Sequence, residues 1–291
     1  LPLSLFRTFL QRFPDLRHLE LQGEGEPFIH PDFFELVAVA EAAQIKVSLI
    51  TNGSCFSRSV IQKILDSQIC SIRVSLETTD AEKFKAIRGG ALAAVMDGLA
   101  RLLAARNQRK QDWPSLGLAV TVLASTLEDL PAIYARYEQL GLDGGIAVQL
   151  LNPMPYYRAH NHLTMHAEYM NAAEHAERFH HYTNSPISQR IWHTRSPHTH
   201  FYDELFKPRP ADLERGRLTT CPWLEAGIYL DRQGHLSPCC TIKPEVYSLG
   251  KLDTTTTETI NQARQALADE LAANQIPSPC AGCAIARTIV D

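Results

Sequence analysis

Residues 19–27 read LELQGEGEP. Leu19, Glu20, Leu21 and Gln22 alternate apolar and polar as a strand does, and Gly23 and Gly25 then let the backbone turn where side chains would clash. Such a turn leaves Glu24 and Glu26 at the C-terminal end of a strand. In α/β barrels that end carries the chemistry, because the loops there converge on one mouth. The sequence on either side reads as further strands and helices built around such a mouth.

Upstream, residues 3–14 carry apolar positions at helical spacing and stop at a proline, so a helix opens the chain. Downstream, His30-Pro31-Asp32 starts a helix with Phe33, Phe34, Leu36, Val37 and Val39 on its apolar side. Residues 46–50 (KVSLI) form a strand that ends in the polar turn Thr51-Asn52-Gly53, and 57–67 form a helix. A strand at 71–76 (SIRVSL), helices at 81–87 and 92–105, a strand at 116–123, a helix at 130–140 and a strand at 146–151 continue the series. Five strands separated by helices build a parallel sheet with right-handed crossovers. Their Val, Ile and Leu content suits strands buried on both faces. The expected fold class is α/β, a partial (β/α)6 TIM-like barrel, which fits better than a flat doubly wound sheet although the alternation alone does not separate them. Each helix of a βα array normally follows a strand, so the opening helix predicts a first strand missing upstream of Leu1.

The 291 residues, 45% of them hydrophobic, suffice for one large α/β domain and a small appendage. A net charge of -4 and a pI near 6.3 give no basic footprint, so nucleic acid is not an expected partner. No apolar run nears the roughly 18 residues a membrane helix needs, and no signal peptide pattern opens the chain. The expectation is a soluble, cytoplasmic protein with no membrane partner. Nine of the twelve histidines fall between residues 153 and 210. His162 and His166, four apart, make a possible ligand pair on one helix face. The plainer reading is a solvated helix near 165–182 and a connecting loop, because no third ligand sits at a telling spacing.

Seven cysteines without a secretory signal argue for reduced thiols or metal ligands. Cys55 and Cys70 are isolated and read as small buried hydrophobes, although Cys55 follows a strand end. The other five, Cys221, Cys239, Cys240, Cys280 and Cys283, lie in the last quarter. Twelve residues separate Cys221 from Gly234, four separate Gly234 from Cys239, and two separate Cys280 from Cys283. A hairpin of residues 228–230 and 235–239, turning at Asp231-Arg232-Gln233-Gly234, brings Cys221 near Cys239. The close pair chelates from a single turn after a helix at 257–273. Four thiolates suit zinc or an iron–sulfur cluster. Cys239 and Cys240, if on a strand, point oppositely, so only one joins a given site.

These residues carry a resemblance. The chain is similar to a radical S-adenosylmethionine (radical SAM) enzyme with a C-terminal SPASM-type auxiliary-cluster domain. LQGEGEPFIHP resembles the family's Gly-Glu-Pro motif, ITNG its next strand ending, and VSLET followed by KAIRGG the strand and helix after that. The C-x12-G-x4-C of Cys221, Gly234 and Cys239 resembles the opening of the SPASM pattern. The implied domains are a radical SAM partial barrel over 1–152, a His-rich connection over 153–215 and a cysteine-rich α+β SPASM-like domain over 216–291.

By that resemblance Gly25, Glu26 and Pro27 contact the amino group of S-adenosylmethionine, Asn52 joins the same site, and Ser75 and Arg88 lie near its ribose and carboxylate. The chemistry is sensible, since a carboxylate and carbonyls suit an ammonium and a guanidinium suits a carboxylate. Cys221, Cys239, Cys280 and Cys283 are implied to hold one auxiliary 4Fe-4S cluster. The family's C-x3-C-x2-C loop, which holds the catalytic cluster, is absent from these residues. Truncation is favoured over natural loss, and the chain as given is expected not to cleave the cofactor. The intact protein is implied to form a 5'-deoxyadenosyl radical that takes hydrogen from a peptide or polar small-molecule substrate, with an electron donor such as flavodoxin or ferredoxin. Two rival readings remain: a zinc-stabilised, non-catalytic binding module on a degenerate barrel, and a barrel lyase or isomerase using Glu24 and Glu26 as acid and base.

Overall fold

The computed structural model describes residues 1–23, 25–151, 154–160, 167–170, 172–198 and 200–290. They fall into two compact units. The larger comprises residues 13–151 and 168–201, and the smaller comprises 1–12, 152–167 and 202–291. Among the described residues no helix is long and apolar enough to cross a membrane.

The chain opens with α1 (Leu3–Arg12), which belongs to the smaller unit. In the larger unit β1 (His18–Glu20), β2 (Lys46–Thr51), β3 (Ile69–Ser75), β4 (Ser115–Val122) and β5 (Ile146–Leu150) form one parallel sheet in the order 1-2-3-4-5. Between them run α2 (Phe33–Ala42), α3 (Arg58–Asp66), α4 (Ala81–Arg88), α5 (Leu92–Gln108) and α6 (Leu130–Leu140). The strand order decides what the alternation left open. A doubly wound sheet reverses direction at a switch point, whereas steady succession with crossovers of one hand lays every helix on the same side. The sheet is therefore the wall of a partial TIM-like barrel.

Register explains how its two faces differ. Val47, Leu49, Ile72, Val74, Leu116, Leu118 and Val120 share one face and are essentially inaccessible. On the other face Glu20, Ser48, Ser71 and Ser115 stand in one cross-strand row, Ile50, Arg73 and Gly117 in the next, and Ser75, Ala119 and Ala147 in a third. Ser48, Ser71, Arg73 and Ser115 are buried as well. The strands are thus covered on both faces, as expected, but the second face is polar rather than aliphatic.

What covers that polar face near its N-terminal end, among the described residues, is residues 195–198, 200 and 201. Ser196 N donates to Asp143 O at 2.7 Å, Ser115 Oγ donates to His198 O at 2.7 Å, and Phe201 N donates to Ser48 Oγ at 3.1 Å. The strap satisfies buried polar groups that an apolar cover would leave unpaired.

The connection was expected as one helix and a loop. It contains more: α7 (Pro155–His160), α8 (Ala172–Thr183), α9 (Pro186–Thr194), α10 (Phe201–Leu205) and α11 (Pro210–Arg215). Pro186 and Pro210 sit in the first turns of their helices, where a missing N–H costs nothing. His162 and His166 lie outside the described residues.

In the smaller unit, α12 (Pro222–Ala226) precedes β6 (Tyr229–Leu230), β7 (His235–Ser237) and β8 (Gly250–Lys251), which form an antiparallel sheet. The expected hairpin is β6 and β7. Asp231 Oδ1 accepts the amides of Gln233 at 2.7 Å and His235 at 2.9 Å, and Gly234 closes the turn at φ +87°. Arg12 of α1 donates to the carbonyls of Leu252 and Thr255, fastening that helix beyond β8. Helices α13 (Thr257–Ala272) and α14 (Ala284–Val290) supply Leu267, Leu271, Ala286 and Ile289 to a core shared with Leu224 and Ile242.

Candidate cofactor site and cysteine centre

Past β1 the chain turns through Gly25 and Glu26 into a short 3-10 turn, Pro27–Ile29, which Glu26 caps. Glu26 Oε1 accepts from Phe28 N at 3.2 Å and Thr51 Oγ1 at 2.7 Å, and Oε2 accepts from Asn52 N at 2.8 Å. One carboxylate therefore ties the loop after β1 to the end of β2. Asn52 Oδ1 in turn accepts from Ser54 N at 2.8 Å, and Gly53 follows at φ +74°. A Cβ at Gly53 would lie 2.7 Å from Val95 Cγ1 and 3.0 Å from Val74 Cγ1, so only glycine fits this turn without displacement. Glu24 lies outside the described residues.

Ser75 ends β3, half-buried and level with Ala119. Arg88 ends α4, where its Nε donates to Glu77 Oε2 at 2.7 Å and its Nη2 to Glu77 Oε1. Glu77 is buried. It belongs to the VSLET stretch, which does not by itself give Glu77 a role. The signal available was an acid two residues past Ser75 and eleven before Arg88, at the two ends of one βα connection. The structure thus brings Glu26 and Asn52 into contact, joins Arg88 to the segment after Ser75, and sets both groups at the C-terminal ends of three adjacent strands. Farther along the polar face, Gln149 Nε2 donates to Thr121 Oγ1 at 3.2 Å at the exposed end of the sheet.

At the other end His200 Nε2 lies 3.3 Å from Glu20 Oε2 and 3.4 Å from Leu49 O, while Ser48 Oγ donates to Glu20 Oε2 at 2.7 Å. Burial first, then the charge of Arg73, push the imidazole well below its ordinary value of 6.5. His200 is neutral at neutral pH, so its approach to Glu20 is not an ion pair, and its Nε2 hydrogen-bonds Leu49 O. Nothing in the local sequence marked His200, since its partners lie about 150 residues upstream.

The four cysteines of the expected centre come together in the smaller unit. Cys280 belongs to the buried cluster, against which Cys221, Cys239 and Cys283 pack. Cys221 precedes α12 as its N-cap residue. Cys239 follows β7, its Sγ 3.2 Å from Thr241 Oγ1. Cys283 N donates to Cys280 O at 3.0 Å, closing the pair into a single turn. Burial, then the nearby Cys239 and Cys283, push the Cys221 thiol up to about 11, with the amides of Leu224 and Trp223 pulling the other way. Cys280 is pushed higher still by burial and by the other three thiols. Such a donor set suits a metal centre, which supplies the missing positive charge and deprotonates its thiols outright. Among the described residues no three His, Cys, Asp or Glu side chains stand close enough to hold a single ion.

Cys240 takes another direction, its sulfur 3.7 Å from Tyr202 Oη. Both adjacent cysteines lie beyond the end of β7, so strand alternation is not what separates them. Cys70 is a buried thiol donating to Val47 O at 3.0 Å and raised to about 11 by burial, while Cys55 is half-buried beside Ser54.

Residues 10–135 match the family model for the Radical SAM superfamily. The tungsten-containing aldehyde ferredoxin oxidoreductase cofactor-modifying protein of Pyrococcus furiosus is 23% identical over 146 residues, which are 50% of this chain and 41% of that protein. The mycofactocin maturase MftC of Mycobacterium ulcerans is 37% identical over 119 residues, 40% of this chain and 31% of its own length. The matches thus span less than half of these curated relatives. The solved structure of native anSMEcpe with bound AdoMet superposes over 99% of this chain and 79% of that one, with a TM-score of 0.67 at 14% identity. The match over residues 10–135 and the parallel half-barrel of β1 to β5 point the same way: this part of the chain is similar to the Radical SAM superfamily.

Proposed function

We propose that this chain works in a radical SAM enzyme of the SPASM type that modifies a peptide. The observation that carries this reading is the bracing of the Gly25-Glu26-Pro27 loop by Thr51 and Asn52 at the C-terminal ends of β1 and β2. A loop held in this way offers backbone carbonyls and a carboxylate, already oriented, to an ammonium. In this reading Gly25, Glu26, Pro27 and Asn52 hold the amino end of S-adenosylmethionine, and Ser75 and Arg88 its ribose and carboxylate. Glu77 positions Arg88 by occupying Nε and Nη2, which leaves Nη1 to turn toward an anion. Bound there, the cofactor together with a reducing 4Fe-4S cluster supplies a 5'-deoxyadenosyl radical for hydrogen abstraction. The strap over Glu20, Ser48 and Ser115 keeps water from the opposite end of the polar face.

Cys221, Cys239, Cys280 and Cys283 are assigned to an auxiliary 4Fe-4S centre. A zinc tetrahedron at about 2.3 Å per bond draws its sulfurs to about 3.8 Å of one another, whereas a four-iron cluster holds them farther apart. The C-x12-G-x4-C spacing of Cys221, Gly234 and Cys239, which resembles the opening of the SPASM pattern, is what favours the cluster over zinc. A peptide substrate is supported by the naming of MftC as a maturase and by anSMEcpe having been solved with AdoMet and the Kp18Cys peptide. A reductant such as flavodoxin or ferredoxin is the proposed electron donor.

The test is anaerobic purification and reconstitution of the chain, followed by iron, sulfide and zinc analysis and a visible spectrum. About four irons per chain, lost when Cys280 and Cys283 are both replaced by Ala, are expected. Zinc alone, with no visible absorption after reconstitution, overturns the auxiliary cluster.

A further inference from the structure

We propose that Arg264 is a positioning residue of the auxiliary centre, holding a positive charge beside Cys221 that raises the reduction potential of the cluster. The proposal rests on the iron–sulfur reading above. Arg264 projects from α13 toward the segment that begins at Cys221. Its Nη2 donates to Leu224 O at 2.6 Å and Trp223 O at 3.3 Å, the carbonyls of the turn that Cys221 opens. Its Nε is buried with no hydrogen-bond partner. Among the described residues no carboxylate pairs with it.

An arginine stays charged even when partly buried, and the carbonyls offer it dipoles but no counter-charge. Cys221 and Arg264 line the same cavity of about 450 Å³. The two acids on that cavity are engaged elsewhere: Glu225 with Arg209 and Thr220, and Asp269 with Gln265. The missing counter-ion of Arg264 is thus the thiolate centre itself.

Reduction of such a centre is a one-electron step. One ferric iron becomes ferrous, no bond is made or broken, no proton moves, and the centre gains one unit of negative charge. The electron comes from the external reductant, dithionite in a titration. A fixed cation close to a ligand sulfur stabilises the more negative state more than the less negative one, which shifts the equilibrium toward reduction. The same guanidinium holds the Cys221 turn in place through the two carbonyls, so charge and clamp have to be separated by experiment.

Three forms of the reconstituted chain separate them: wild type, Arg264→Lys, which keeps the charge, and Arg264→Gln, which keeps an amide donor without it. Iron content and the redox titration of the visible and EPR signals are measured on each. The expected result is full iron in all three, with the ratio of reduced to oxidised centre in Arg264→Gln lowered about tenfold at a fixed ambient potential, about 59 mV for one electron. Arg264→Lys should stay close to wild type. A loaded Arg264→Gln protein with an unmoved potential overturns the proposal and leaves the cluster assignment standing. Should Arg264→Gln lose its iron, a fully loaded Arg264→Lys at the wild-type potential supports the role of charge, and loss of iron there too overturns it in favour of the clamp. Wild-type protein that takes up no iron removes the cluster reading and this proposal with it.

Discussion

His200 is neutral where it sits, and this fixes the sign of a pH effect. Its folded-state pKa lies well below 6.5, depressed by burial and by Arg73, so on acidification the unfolded chain takes up the proton first. Stability changes with pH as the difference in protons bound by the unfolded and folded states. The larger unit should therefore keep the full contribution of this site above pH 6.5 and lose about 1.4 kcal/mol per unit of acidification below it, until the folded imidazole also titrates. His200→Gln retains an N–H donor for Leu49 O and has no proton to gain. Urea unfolding of both proteins at pH 6.5 and one unit lower should show a shallower acid loss in the variant. Equal losses would mean that the imidazole does not carry the effect.

Glu26 acts between two elements, because its carboxylate joins the loop after β1 to the end of β2. Glu26→Gln keeps an acceptor for one partner and loses the charge that strengthens both bonds. Glu26→Ala leaves the Thr51 hydroxyl and the Asn52 amide to find water. S-adenosylmethionine affinity, measured by calorimetry on reconstituted protein, should fall at least tenfold in Glu26→Ala and by less in Glu26→Gln, with each protein's unfolding midpoint as a control for folding. Undiminished affinity in Glu26→Ala would remove this residue from the cofactor site. The strands, helices and parallel sheet were legible in the sequence because period-two and helical spacing are local signals, and α6 begins and ends where its pattern does. Sheet order was not legible, since alternating strands and helices do not by themselves separate a barrel wall, the better fit, from a doubly wound sheet. Neither was the polar row of Glu20, Ser48, Ser71 and Ser115, whose members come from four strands and meet only through register. The strap of residues 195–198, 200 and 201 finds its partners far away in sequence, and β8 is two residues long, too short to show a period. Of the expected centre, the cysteine spacing announced the grouping, while the Glu77–Arg88 pair showed only after α4 was in place.

Each of the two units has apolar residues of its own to bury, and this bears on what losing a cysteine should do to the molecule. One buried cluster of the smaller unit holds Met154, Leu224, Ile242, Leu267, Leu271, Ala286 and Ile289, with Cys280 among them and Cys221, Cys239 and Cys283 packed against it. A bound centre adds its binding free energy to folding, and a centre seated against this cluster adds it to the smaller unit. With Cys239 a ligand as proposed, Cys239→Ala leaves three thiols with nothing to share, so iron should be lost and the smaller unit should unfold at lower denaturant. The sheet of the larger unit draws on residues far from Cys239 in sequence, so its own transition should stay where it is. Cys55→Ala, a change at a half-buried thiol beside Ser54, should alter neither iron content nor either transition. Iron analysis with denaturant unfolding, followed by hydrogen exchange resolved along the chain, separates these outcomes. Full iron content in Cys239→Ala would remove Cys239 from the ligand set and make Cys240, one residue along, the thiol to replace next.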